Sequence, residues 1–128
     1  MSFAANIAAF ATNTGLSIEN AYKGAVFELG ASIIDDTPVD TGRARGNWQT
    51  SVNSPKTRIL QTVDEDGSIA LSKLEKNVGG INETTYIRNN LPYIKALEEG
   101  HSNQAPAGMA RKNVIRWERL VQEQARKV

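Results

Sequence analysis

Cysteine is absent from the 128 residues, so disulfides, thiolate metal sites and cysteine nucleophiles are excluded. That absence fits assembly in a reducing cytoplasm. Histidine occurs once, at His101. No HExxH or comparable spacing surrounds it, and the nearest acids, Glu98 and Glu99, precede it across an expected helix stop. His101 therefore reads as an ordinary exposed loop residue. An excess of one charge sign is also lacking. The formal net charge of +1 argues against binding nucleic acid by bulk electrostatics, which draws its affinity from neutralised phosphates. No stretch reaches the ~18 apolar residues of a membrane span. The weakly apolar run Met1 to Phe10 has no lysine or arginine ahead of it, as a secretory signal would. The expected product is soluble and intracellular, with no membrane partner. The length suits one domain over 1–128, and such a chain can bury roughly two-thirds of its unfolded surface in a single core.

What is present is a clear succession of elements. Phe3, Ile7 and Phe10 make one apolar stripe, so residues 1–15 read as a short helix or a flexible arm, closed by a turn at Thr12-Asn13-Thr14-Gly15. Ser17 is then the expected N-cap of a long helix. Ile18, Ala21, Tyr22, Ala25, Val26, Leu29, Ile33 and Ile34 follow helical spacing up to Asp36, and Pro38 ends it. Gly24 and Gly30 weaken that helix by roughly 1 kcal/mol each and suit close packing against another element. Trp48, Thr50 and Val52 alternate with Asn47, Gln49 and Ser51, which predicts a half-buried strand over 46–53. A weaker strand is expected over 58–63, then an acidic turn, Asp64-Glu65-Asp66-Gly67. A short helix capped by Ser68 follows, with Ile69, Leu71 and Leu74 as its apolar positions. Gly79-Gly80 breaks it. Glu83 to Asn89 is a strand, and Tyr93 to Glu99 is a short helix stopped by Gly100. One final helix is expected from about Gly108 to Lys127, with Val114, Trp117, Val121 and Ala125 inward and Leu120 at the edge. The order predicts an α+β fold: a small antiparallel sheet covered by a long N-terminal helix and a C-terminal helix.

Chemistry-bearing patterns are thin. The adjacent acids Asp35-Asp36, Asp64-Glu65-Asp66 and Glu98-Glu99 point apart, unlike carboxylates that face each other across a substrate, and charge runs favour solvent. Gly42-Arg43-Ala44-Arg45-Gly46 lacks the GxxxxGK[ST] pattern of a phosphate loop. Arg43 and Arg45 either meet a nucleic-acid backbone or pair with acids on a neighbouring chain, and two arginines are few to dominate binding. Trp48, Tyr86, Tyr93 and Trp117 sit on apolar faces and read as core. No nucleophile, base and orienting group can be named together. No metal, cofactor or catalytic residue is expected.

Two stretches are less generic. The first is Thr37-Pro38-Val39-Asp40-Thr41-Gly42-Arg43-Ala44-Arg45-Gly46-Asn47-Trp48. The second begins Asn89-Asn90-Leu91-Pro92-Tyr93-Ile94, passes Leu97-Glu98-Glu99-Gly100, and ends Ser102-Asn103-Gln104-Ala105-Pro106-Ala107-Gly108-Met109. Together they resemble the neck or tail-completion proteins of long-tailed bacteriophages. In that family a "TPVDTGR" turn follows a long helix, and "NNxPY", "LExG" and "QAPxGM" precede a final helix. The match spans about residues 18 to 120, and residues 54–82 form an excursion outside it. Physically, these motifs read as turn chemistry. Pro38 stops a helix, Asp40 or Thr41 bonds nearby amides, and Gly42 gives backbone freedom before the strand. Pro92 starts a helix and Gly100 ends one.

The resemblance implies a structural virion subunit with no reaction of its own. It would form a ring, generally sixfold, at the head–tail junction, joining the tail to the DNA-filled head and letting DNA pass without sequence-specific binding. Connector or stopper proteins and tail-terminator or tail-tube proteins would flank it, with assembly in the bacterial cytoplasm. A ring of one repeated subunit needs a head-to-tail interface, and open sheet edges suit that contact. Arg43 and Arg45 are expected to pair across it, and the acidic turn Asp64, Glu65 and Asp66 to face the channel. Two rival functions stand beside this one. A nucleic-acid-binding module would use Arg43, Arg45 and the basic C-terminal helix. A small hydrolase has no residues to carry it.

Overall fold

The chain's computed structural model describes residues 3–39, 41–100, 104 and 107–126, with side chains from residue 18 onward in the first helix. That helix, α1 (Phe3–Asp35), contains 33 residues, about 50 Å at 1.5 Å per residue. It runs unbroken through Thr12-Asn13-Thr14-Gly15, so the expected turn there is absent and Ser17 lies inside the helix instead of capping it. Asparagine, threonine and one glycine only lower helix propensity, and a continuous helix tolerates them. The C-terminal end behaves as read. Asp36 N–H still donates to Ser32 O, and Thr37 N–H tightens the last turn onto Ile34 O.

A one-turn helix, α2 (Arg43–Gly46), precedes β1 (Trp48–Val52). Then come α3 (Ser68–Asn77), β2 (Thr85–Asn89), α4 (Ile94–Glu98), α5 (Ala110–Val114) and α6 (Trp117–Ala125). β1 and β2 pair antiparallel, with Trp48 opposite Asn89 and Thr50 opposite Ile87. Asn53, at φ 63, closes the far end. Its N–H donates to Thr84 O at 2.7 Å, and its side-chain carbonyl accepts Thr84 N–H at 2.9 Å. The predicted α+β class with a small antiparallel sheet is what the chain adopts.

The core gathers Ile33, Ile34, Trp48, Ala70, Leu74 and Met109, with Phe27, Leu29, Val78, Ile87, Ile94 and Leu97 packed around it. α3 packs on β1 and α1, and α6 packs on α1. The two helix glycines mark these approaches. A Cβ at Gly30 would lie 2.7 Å from Leu74 of α3, and one at Gly24 2.6 Å from Gln124 of α6.

Three expectations fail, each for a tertiary reason. The segment 58–63 is not a strand. Instead, side chains hold it against the polar side of β1, which buries Asn47, Gln49 and Ser51. Asn47 donates to Leu60 O at 3.0 Å and accepts Leu60 N–H at 2.6 Å. Gln49 donates to Arg58 O at 2.6 Å. The final helix is two helices, interrupted at residues 115 and 116. The interruption shifts the phase, so Leu120 is fully buried while Val114 and Val121 are exposed. In α3 the N-cap position is Gly67, with Ser68 inside the helix. Leu74 is buried as expected, but Ile69 and Leu71 are exposed and Ala70 is buried in their place.

Candidate assembly surface

The two motif stretches come together in space. Gln104 reads the backbone of Val39 in both directions, accepting its N–H at 2.8 Å and donating to its carbonyl at 3.0 Å. Asn89 donates to Ala44 O at 2.8 Å. Asn113, fully buried, donates to Asp36 Oδ2 and to Met109 O, each at 2.7 Å. Lys112 Nζ lies 3.4 Å from the same Asp36 oxygen. The end of α1 is thereby tied to the start of α5, 77 residues further on.

Within the first stretch, the polar side chains are used locally. Thr37 Oγ1 donates to Ile33 O at 2.7 Å and accepts the Trp48 indole N–H at 2.8 Å. Thr41 Oγ1 accepts Arg43 N–H at 3.3 Å, the turn expected of it. Gly42 has φ 90, and a Cβ there would sit 2.6 Å from Glu65 N. That positive φ and close approach admit only glycine without strain. Pro38 is buried behind the helix end. Asp40, Pro106 and His101 lie outside the described residues.

Arg45 is held within its own chain. Its Nε donates to Thr37 O at 3.1 Å, Nη1 to Glu65 O at 2.7 Å, and Nη2 to Asp35 O at 2.7 Å. Three of its five donors are spent on the chain's own carbonyls, so it clamps the α1 end to the 64–67 turn. Arg43 has a buried Nε with no acceptor. The acidic turn is also structural. Asp64, 3% exposed, accepts Ile69 N–H at 3.2 Å and Ala70 N–H at 2.8 Å, a carboxylate at the positive end of α3. Asp66 accepts Ser68 N–H at 3.0 Å. That bond and the Ser68 hydroxyl hold the Asp66 carboxyl below its ordinary range. Glu65 and Asp66 are exposed, while Asp64 is buried.

In the second stretch, Asn90 donates to Lys56 O and Arg58 O at 3.0 and 3.1 Å. Leu91 is buried, and Pro92 and Tyr93 are exposed, so Tyr93 is not the core residue its spacing suggested. Gly100, at φ 90, ends α4. Glu98 caps the next helix. Its Oε1 accepts Met109 N–H at 3.1 Å and Ala110 N–H at 2.7 Å, and Oε2 accepts Arg111 N–H and Nε at 3.0 Å each. Burial pushes its carboxyl up, but the bonds from Arg111, Ala110 and Met109 outweigh this and leave it below its ordinary value. Gly108, at φ 83, lets Glu98 approach, since a Cβ would strike the Glu98 carbonyl.

With the motif polar groups so engaged, the concave apolar surface of the chain becomes the notable feature. A groove of about 520 Å³ runs between α1, the sheet and the α5–α6 bend, lined by Tyr22, Leu29, Trp48, Ile87, Val114 and Trp117 among others. Val114, in that lining, is 53% exposed, and the next residue along the chain, Ile115, is 84% exposed. Sequence periodicity had placed Val114 in the core, and only the break after α5 turns it outward. Among the described residues no three His, Asp or Glu side chains gather as a metal site, and no helix is long and apolar enough to cross a membrane. No family model, curated protein or solved structure matches the chain.

Proposed function

We propose that the chain is a ring-forming structural subunit of the neck or tail-completion region of a long-tailed bacteriophage, joining tail to DNA-filled head without catalysing a reaction. The observation that carries this reading is the apolar groove, with the exposed Val114 in its lining. Contiguous apolar surface of this kind marks a site that a partner covers. A head-to-tail ring supplies such a partner in the next copy, and each strand of a two-stranded sheet has an edge that no strand pairs. The resembling motifs support the same reading. Among the described residues, their polar side chains fix turns and dock the two stretches on each other, as a scaffold requires.

The rival nucleic-acid reading loses much of its original basis. Arg45 is engaged by carbonyls. Arg111, Lys112 and Arg119 are in ion pairs with Glu98, Asp36 and Glu123.

The test is complementation. Purified protein is added to tails and DNA-filled heads from a phage mutant lacking it, and infectious particles are counted. A rise in titre, with protein density at the head–tail junction by microscopy, upholds the proposal. No rise and no junction density rejects it.

A further inference from the structure

Three of the cations that enter no ion pair converge elsewhere on the chain. Between α3, β1 and the 54–60 segment runs a cleft of about 320 Å³ lined by Gln49, Thr50, Lys56, Arg58, Lys73 and Asn77, with Leu60 as its one apolar wall residue. A second hollow shares Thr50, Lys56, Arg58 and Asn77 with it and adds the hydroxyl residues Ser51, Ser54 and Thr57. No carboxylate residue lines either hollow. Among the described residues, Lys56, Arg58 and Lys73 enter no ion pair; those present join other cations.

The placement of these charges is built into the fold. Asn90 donates to the carbonyls of both Lys56 and Arg58, and Gln49 donates to the latter. The backbone that carries Lys56 and Arg58 is thereby held against β1 and the end of β2, and both residues line both hollows. Lys73 and Asn77 are four apart on α3 and so occupy one helix face. The Asn77 amide donates to Lys73 O at 2.7 Å, and both residues line the cleft. Three cations outside any ion pair, with hydroxyl and amide neighbours in a concave site, form an anion receptor, and the two adjoining hollows that share Lys56 and Arg58 carry it past the footprint of a single small anion, as a polymer of charges requires.

We infer that this cleft binds the phosphodiester backbone of nucleic acid, without reading its sequence. Lys56, Arg58 and Lys73 neutralise phosphates, and the Thr57 and Ser54 hydroxyls supply additional donors. The inference does not depend on ring formation: a monomer contains the whole cleft.

The full-length protein is titrated into a fluorescent random-sequence DNA duplex at several salt concentrations, with anisotropy as readout. The triple variant Lys56→Gln/Arg58→Gln/Lys73→Gln is compared with Lys23→Gln/Lys95→Gln/Arg126→Gln, which removes equal charge from exposed positions away from the cleft. Circular dichroism checks that both fold. The expected result is weak, salt-sensitive binding that falls roughly tenfold in the cleft variant, with the slope of log K against log salt reduced by about two to three. The control should keep most of its affinity. Equal weakening in both variants would reduce the effect to bulk charge and overturn the inference, as would an absence of binding at low salt. Displacement of the duplex by millimolar inorganic phosphate at constant ionic strength would assign the cleft to free phosphate instead. Displacement by polyglutamate at matched charge would assign it to an acidic protein.

Discussion

The Trp48 indole N–H donates to Thr37 Oγ1 at 2.8 Å, and the same hydroxyl donates onward to Ile33 O at 2.7 Å. Thr37 is 1% exposed and Trp48 7%, so water cannot substitute at either step. One hydroxyl therefore ends α1, satisfies the largest side chain in the core and fixes where β1 begins. Thr37→Val keeps the shape but strands the indole donor. It should cost about 1–3 kcal/mol in urea denaturation, and Thr37→Ser should recover most of that loss. Equal losses in both variants would mean that the methyl group, not the hydroxyl, matters there.

Arg45 offers a separation of charge from geometry. Arg45→Lys keeps the positive charge but cannot reach Asp35 O, Thr37 O and Glu65 O together. We expect a loss of about 2 kcal/mol in the isolated chain. Were Arg45 chiefly an intersubunit ion-pair partner, the lysine variant would unfold at the wild-type denaturant midpoint.

Glu98 sets a pH dependence whose sign follows from its lowered carboxyl. Its stabilisation is complete above the ordinary glutamate value of about 4.3 and is lost as pH falls through the lower folded value. The wild type should exceed Glu98→Gln by about 1–2 kcal/mol near neutrality. That gap should close as acid is added below the ordinary value. A gap unchanged across this range, measured by thermal melts, would show that the carboxylate's charge is irrelevant to the cap.

Val114 tests the assembly surface. It is more than half exposed in the single chain, so Val114→Glu should alter monomer stability by no more than about 0.5 kcal/mol. The same change places a charge beside the apolar groove and should abolish complementation of heads and tails. A variant that complements normally would remove the groove from the interface.

Elements whose signals are local could be read directly. Pro38 and Thr37 end α1, Gly79-Gly80 ends α3, Gly100 ends α4, and the alternation around Trp48 marks β1. What escaped reading depends on distant partners. Nothing in Val114-Ile115-Arg116-Trp117 announces a break, since neither proline nor glycine is there. The break accompanies Asn113, drawn into the interior by Asp36, while Arg116 bonds its side-chain carbonyl at 3.1 Å. Burial of Asn47 and Gln49 likewise needs the 56–60 segment to be in place. The acidic turn read as solvated charge because adjacent acids usually are, yet a helix starting four residues later gives Asp64 two amides to accept. The Glu98 cap, bridging 11 to 13 residues, leaves no short spacing to recognise. Of the apolar groove, the aromatic and aliphatic residues are visible in the sequence, but their spacing assigns them to the interior. The three cations of the polar cleft come from two segments that only the folded chain brings together.

Residues 56–60 are moored chiefly by the amide groups of Asn47, Gln49 and Asn90, with no ladder of main-chain bonds to a neighbouring strand. Such a strip can lift off by breaking a few side-chain bonds while β1 and β2 stay zipped, so it forms a separate opening unit within one domain. Its main-chain hydrogens should exchange with solvent well before those of the sheet, with Leu60, whose N–H is held by Asn47 Oδ1, the slowest among them. The same arrangement makes this stretch interchangeable: a different loop grafted between Asn53 and Asp64 should be accepted as long as it offers a few carbonyls at the right height.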